Sequence, residues 1–279
     1  PPPPPATYPP PIGGGVGCVY EPVLGARGRG APAVQRVGGL EFFDGWAGGN
    51  CGEVSSTDGK EFEIRLRPDT GSPRHRLWFH FRVRGAACAG RVILSIVNMS
   101  KQRSLFKDAG MSPATRRSEG AGSGASPRPW GAWGRVPPKD CYFYRSHRHG
   151  GAWKLSFVVT FETDFDEREF AYSFPYPYRE GLLPWLAQLE RGGLPFFRRE
   201  QLCLTPLGHR ADLVTIAEPL PDWSRSPRQG GRRARPRRVV FVTARVHPGE
   251  TPASHVTHGL MAYLLSKDPD ARLLRRHAV

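Results

Sequence analysis

His247 and Glu250 stand three positions apart, directly after the apolar run Val239-Val240-Phe241-Val242. An imidazole nitrogen and a carboxylate oxygen are zinc donors, each binding at about 2.0–2.2 Å, and a catalytic zinc takes three protein ligands plus water. A tight loop at a strand end can aim both groups at one point, and Pro248 and Gly249 suit such a turn. Spacing alone is weak evidence, because most His-x-x-Glu pairs are ordinary surface residues. The position at the end of a strand-like run strengthens it. His255 and His258 follow at i, i+3 on an expected helix; without a carboxylate motif they read as surface residues. His147 and His149 lie among Arg145 and Arg148, and crowded cations disfavour a metal ion there.

Several elements must hold this pair. Val239–Val242 and Asp212–Ile216 are short apolar runs, as in strands buried on both faces. Thr251 is placed to cap a helix with Pro252 at its first position, and Val256, Leu260 and Leu264 are its expected buried stripe. Strand, loop and helix in that order open an α/β domain. Upstream, Leu182, Trp185, Leu186 and Leu189 at i, i+3, i+4 and i+7 give another helix an apolar face. Before that the period changes to two. Phe62, Ile64 and Leu66 alternate with charged residues, as do Leu77, Phe79, Phe81 and Val83 with Trp78, His80, Arg82 and Arg84. Val92–Val97 and Leu155–Phe161 are further strands, and the set suggests an antiparallel sandwich interrupted by a surface loop over 118–138.

Composition bounds the rest. The chain has 279 residues, enough for two modest domains, and begins with Pro1, which suggests a start inside a longer chain. Residues 1–38 are rich in Pro and Gly and are expected to be disordered. Forty Lys and Arg against 25 Asp and Glu give a net charge of +15, which favours acidic partners without choosing among them. An arginine bias of this kind also follows from GC-rich coding. The run Arg225–Arg238 lacks interleaved aromatics, which argues against single-strand nucleic-acid binding. Five scattered cysteines without a Cys-x-x-Cys fit a reducing compartment, and no run is long enough to span a membrane.

With these residues in place, the chain resembles the cytosolic carboxypeptidase family, zinc metallocarboxypeptidases that trim C-terminal glutamates from tubulin and other proteins. The resemblance runs through Ile64–Thr70, Trp78–Phe81, Ile96–Lys101, Val136–Arg145, Phe170–Tyr178, Phe196–Leu202, Asp212–Ile216 and Ala244–Pro252, in order, over about residues 39–279. Departures occur at Trp46–Asn50 and Gly208–Ala211. The resemblance implies an α+β, two-domain chain: an N-terminal antiparallel β-sandwich over 39–170, then the first part of an α/β zinc-carboxypeptidase domain over 171–279, truncated at its end.

His247 and Glu250 map onto two family zinc ligands. The third, a His, and the catalytic Glu lie further along in the family, so no catalytic residue is assigned within this chain. The implied cofactor is one Zn2+ per complete catalytic domain. The implied partners are polyglutamylated tubulin and other glutamate-rich tails, with neither nucleic acid nor membrane. The implied location is the cytosol, extending to microtubule-associated structures. Two readings follow: an enzyme of protein deglutamylation, inactive as these residues alone, or a non-catalytic fragment that binds tubulin or another acidic partner.

Overall fold

A computed structural model describes residues 34–69, 72–85, 90–100, 103–108, 110–118, 129–163, 166–205, 208–220, 238–247 and 249–278. The strands in chain order are β1 (Gln35–Val37), β2 (Leu40–Phe43), β3 (Glu53–Ser55), β4 (Glu61–Arg65), β5 (His80–Gly85), β6 (Gly90–Ile96), β7 (Ala114–Arg117), β8 (Gly134–Arg135), β9 (Cys141–Ser146), β10 (Ala152–Phe161) and β11 (Glu167–Ala171). They form a six-stranded sheet, β1-β2-β5-β11-β7-β8, and a five-stranded sheet, β3-β4-β6-β10-β9. After them come α1 (Leu183–Arg191), the hairpin β12 (Phe197–Leu204) with β13 (Arg210–Ile216), α2 (Thr251–Leu264) and α3 (Pro269–His277). The class is α+β, as expected.

The period of two explains the core. Phe62 and Ile64 of β4, Phe81 and Val83 of β5, Leu94 and Ile96 of β6, and Leu155 and Phe157 of β10 are fully buried. In β4 and β5 the charged neighbours Glu61, Glu63, Arg65, Arg82 and Arg84 lie on the other face, because successive strand side chains alternate. Aromatic contacts join the sheets: Phe42 lies 5.6 Å from Phe62, and Phe157 lies 5.2 Å from Phe170, centroid to centroid. Burying a side chain of this size contributes about 1.5–3 kcal/mol, so the sandwich is the main store of stability here.

One pair departs from the antiparallel expectation. β4 and β6 run parallel, with Phe62 opposite Leu94 and Ile64 opposite Ile96. Between them β5 lies in the other sheet. Each crossing between sheets reverses the chain, and two crossings restore its direction. Gln35–Val37 also departs from the expected disordered segment 1–38, since it pairs with β2 as an edge strand. Residues 1–33 lie outside the described residues. Within the expected surface loop 118–138, Gly134–Arg135 pairs with β7, and Val136 is buried. An apolar Val and a paired edge are enough to hold that part of the segment against the sandwich.

The chain leaves the sandwich through an aromatic segment whose start, Tyr172 N–H, donates to Phe79 O at 2.9 Å. A π-helical turn over Tyr178–Leu182 leads into α1, whose Leu186 is buried as its spacing required. β12 and β13 pair antiparallel, with an irregularity between Gln201 and Cys203. β13 was expected to be buried on both faces; most of it is half-buried, since a two-stranded sheet covers only one side. Arg199 on β12 grips Asp212 on β13 through Nε–Oδ1 at 2.9 Å and Nη2–Oδ2 at 3.1 Å, and Glu190 of α1 at 2.9 Å. Tyr178 Oη donates to the same Asp212 at 2.8 Å. This network locks the π-helical turn, α1 and the hairpin together. Cys51, Cys141 and Cys203 are free thiols, and among the described residues no helix is long and apolar enough to cross a membrane.

Candidate metal centre

Val239–Val242 does not form the buried strand its composition suggests. Among the described residues nothing pairs with Val239–Val242 as a strand, and Phe241 is 73% exposed. A strand is defined by its neighbours' hydrogen bonds. The nearest pairing here is one isolated parallel bridge, Arg238 to Ala278. The remaining basic run, 221–237, lies outside the described residues.

Beyond this segment the backbone turns sharply. Arg245 adopts φ 59°, a left-handed conformation that residues with a Cβ seldom take. Its Nη1 donates to Tyr176 O at 2.7 Å, and burial pushes its guanidinium pKa down. Glu250 N–H then donates to His247 O at 3.1 Å, closing a turn. That turn brings His247 Nδ1 and Glu250 Oε1 to 2.8 Å, with both side chains more than half exposed. The hydrogen bond from His247 holds the Glu250 carboxyl below the usual carboxylate range.

Glu250 itself is the cap residue of α2, so the helix begins one position earlier than a Thr251 cap would place it. Thr251 is buried instead, its Oγ1 without a hydrogen-bond partner among the described residues. Pro252 falls in the first turn, where a missing N–H costs nothing. The expected stripe is reversed in part: Val256 is 72% exposed and Leu260 39%. The covered face is the one carrying His258 and Met261, because α2 packs on the aromatic segment before α1 through His258.

His258 is therefore no surface residue. Its ring stacks on Trp185 at 3.9 Å, and its Nδ1 lies 2.7 Å from Tyr176 Oη. Burial lowers its pKa, and the neighbouring His255 adds to the effect. His255 meets the edge of the same Tyr176 ring at 4.9 Å. Burial pushes the Tyr176 hydroxyl up to about 12. A Cβ on Gly249 would lie 3.8 Å from the Tyr172 ring, so the turn rests on the aromatic segment as well. Tyr172, Tyr176, Trp185 and Arg245 are the supporting residues that motif spacing missed. The Tyr-Pro run was visible in the sequence, but its contact with a turn some 70 positions later was not. His147 and His149 sit in a 3-10 turn, with His149 Nε2 3.1 Å from Glu63 Oε1.

The pair fits two positions of a zinc site by donor chemistry: a nitrogen and an oxygen, adjacent and facing solvent. Among the described residues no group of three His, Cys, Asp or Glu converges on one point.

Residues 42–116 match the family described as "Cytosolic carboxypeptidase N-terminal domain". Cytosolic carboxypeptidase 6 of Caenorhabditis elegans is 39% identical over 239 residues, 86% of this chain and 47% of that protein. The chain belongs to the cytosolic carboxypeptidase family. The human cytosolic carboxypeptidase 6 is 37% identical over 244 residues, covering 88% of this chain and 44% of that protein. This family member thus spans somewhat under half the length of those relatives. A crystal structure of a putative carboxypeptidase A from Shewanella denitrificans superposes with TM-score 0.60 at 25% identity, over 85% of this chain and 52% of that one. A metallo-carboxypeptidase from Burkholderia cenocepacia shares the fold, with TM-score 0.62 at 23% identity, over 86% of this chain and 53% of that one. Each of these matches covers 85–88% of the chain.

Proposed function

We propose that this chain is the part of a zinc metallocarboxypeptidase that supplies two metal ligands, His247 and Glu250. The observation that carries the reading is the 2.8 Å approach of His247 Nδ1 to Glu250 Oε1 on an exposed turn, in a cytosolic carboxypeptidase chain. Bound zinc would supply Lewis acidity to a peptide carbonyl and lower the pKa of a water. The protein's own contribution here is orientation. The turn fixes the spacing of the two donors, α2 anchors Glu250 at its N-terminal end, and the Tyr172–Tyr176 segment supports the loop. The depressed Glu250 pKa keeps the carboxylate charged and ready to bind a cation.

The substrate class we infer is the C-terminal glutamates of acidic protein tails, polyglutamylated tubulin among them, removed in the cytosol. The net charge of +15 supports it, since positive surface steers acidic polymers toward the protein. The domain limits we propose are a sandwich over 39–170 and a catalytic-domain opening over 171–279. A second reading is that this chain binds acidic partners without cleaving them, which the net charge of +15 supports.

Zinc titration of the full-length protein followed by calorimetry tests the metal assignment. His247→Ala and Glu250→Gln are each expected to weaken binding by at least about tenfold, the scale of losing one ligand contact of roughly 1.4 kcal/mol or more. Unchanged zinc affinity in the double variant would sink it. For the 279-residue chain, no release of glutamate from a polyglutamate peptide is expected. Release that His247→Ala abolishes would show the site to be complete.

A further inference from the structure

The five-stranded sheet ends on β9, and among the described residues no strand pairs with its far side. Beside this edge a pocket of about 420 Å3 opens against the π-helical turn Ser104–Asp108. Its lining is Arg103, Lys107, Phe143, Tyr144, Arg145 and Trp153. Phe143 and Trp153 stack at 4.8 Å with rings 6° from parallel, and buried Phe106 anchors the turn to Phe143 at 5.6 Å. Over the indole of Trp153 stand Arg145 Cζ at 5.5 Å and Lys107 Nζ at 6.0 Å.

The charge balance of this pocket is unlike that of the other sheet's outer face. There Arg82 and Arg116 share Glu169, and Arg117 and Arg168 share Asp166. Here, among the described residues, three cations line the space and no carboxylate does. Among the described residues Arg103 pairs with Asp108, at 3.9 Å with both side chains mostly exposed, a geometry worth little. Lys107 and Arg145 form no ion pair among the described residues. Cation–π contacts restrain both side chains without neutralising them. The result is a preorganised positive site next to an open strand edge.

We propose that this edge docks an acidic peptide segment in extended conformation. The peptide backbone pairs with the free side of β9, as in strand addition. Alternate side chains of an added strand fall on one face, and carboxylates there meet Arg145, Lys107 and Arg103. None of these residues belongs to the His247–Glu250 turn, so the site stands whether or not that turn binds metal.

The test uses the whole chain carrying His247→Ala, so that failure of the zinc reading leaves the measurement intact. A fluorescein-labelled hexaglutamate peptide is titrated by anisotropy, with hexaglutamine, an oligonucleotide and inorganic phosphate as competitors. Hexaglutamate is expected to bind and the competitors to be at least tenfold weaker. The double variant Lys107→Gln/Arg145→Gln is expected to lose at least tenfold in affinity, with an unchanged melting temperature. Arg272→Gln/Arg276→Gln on exposed α3 removes the same charge and is expected to change affinity less than twofold. Hydrogen exchange at Tyr142–Arg145 slows when peptide is added. Equal losses in both double variants would mean diffuse attraction and overturn the site. Tighter oligonucleotide binding that Lys107→Gln/Arg145→Gln abolishes would assign the pocket to nucleic acid instead. Unprotected β9 amides would overturn the strand-edge mode.

Discussion

His258 illustrates how much one side chain outside any motif can carry. It joins α2 to Trp185 and Tyr176 with one ring, and burial lowers its pKa from 6.5. The unfolded chain therefore binds the proton more readily than the folded one, so acid favours unfolding at this position. Its contribution is complete above the unfolded pKa of about 6.5 and declines as pH falls below it toward the lower folded value. We expect the docking of α2 to loosen over that window, measured as faster amide exchange in Thr251–Leu264. In His258→Phe, which keeps the stacked ring, the slope of exchange against pH between about 7 and 5 should flatten. Arg245, two positions before His247, belongs to the same scale: its left-handed backbone redirects the chain at the turn, and no composition rule forecasts such a φ.

Among the elements, β5, β7 and β11 meet at Glu169. Its carboxylate is nearly inaccessible, and accepts from Arg82 Nη2 at 3.0 Å and Arg116 Nε at 2.8 Å, with His80 Nε2 at 3.6 Å. Burial alone would raise its pKa; His80, Arg116 and Arg82 outweigh that and hold it at about 2. A depressed carboxyl pKa adds stability that is present above the unfolded value of about 4.3 and lost as pH falls toward 2. The contribution is roughly 3 kcal/mol, from a shift of about two units at 1.36 kcal/mol each. Glu169→Gln should lower stability at neutral pH by that order and flatten the loss between about pH 4.5 and 2 in denaturant titrations. A parallel acid limb in variant and parent would contradict this account. Trp130 and Trp133 roof Arg116 at 4.8 Å each, which adds cation–π contacts to the same cluster.

At the scale of the whole molecule, the sandwich and the segment around the turn differ in how far they explain themselves. Phe157→Ala in the sandwich should cost about 3–5 kcal/mol, measured by urea unfolding, because the void left between sheets cannot collapse fully. Val239, Val240, Phe241 and Val246 instead expose their side chains. Exposed apolar segments promote association, so the chain is expected to self-associate in light scattering, and Phe241→Lys to reduce it. The alternation in β4 and β5 made the core legible, because burial on one face leaves a period of two that sequence alone displays. The parallel pairing of β4 with β6 was not legible, since it depends on where β5 goes. The His247–Glu250 spacing was legible, as was Leu186 on α1. The exposed face of α2 and the half-buried state of β13 were not, because apolar runs record a tendency to be covered and not the identity of the cover. Tyr176 and Trp185 escaped for a related reason: their partners lie far along the chain.

The face-to-face stack of Trp185 on His258 also gives the protein an optical signature. An imidazolium drains excitation from an indole in contact with it, whereas a neutral ring does so weakly. Emission assigned to Trp185, by difference from Trp185→Phe, would dim when the ring takes a proton and brighten when the two planes part. A spectrometer could thus follow the seating of the helix behind the turn with no label attached.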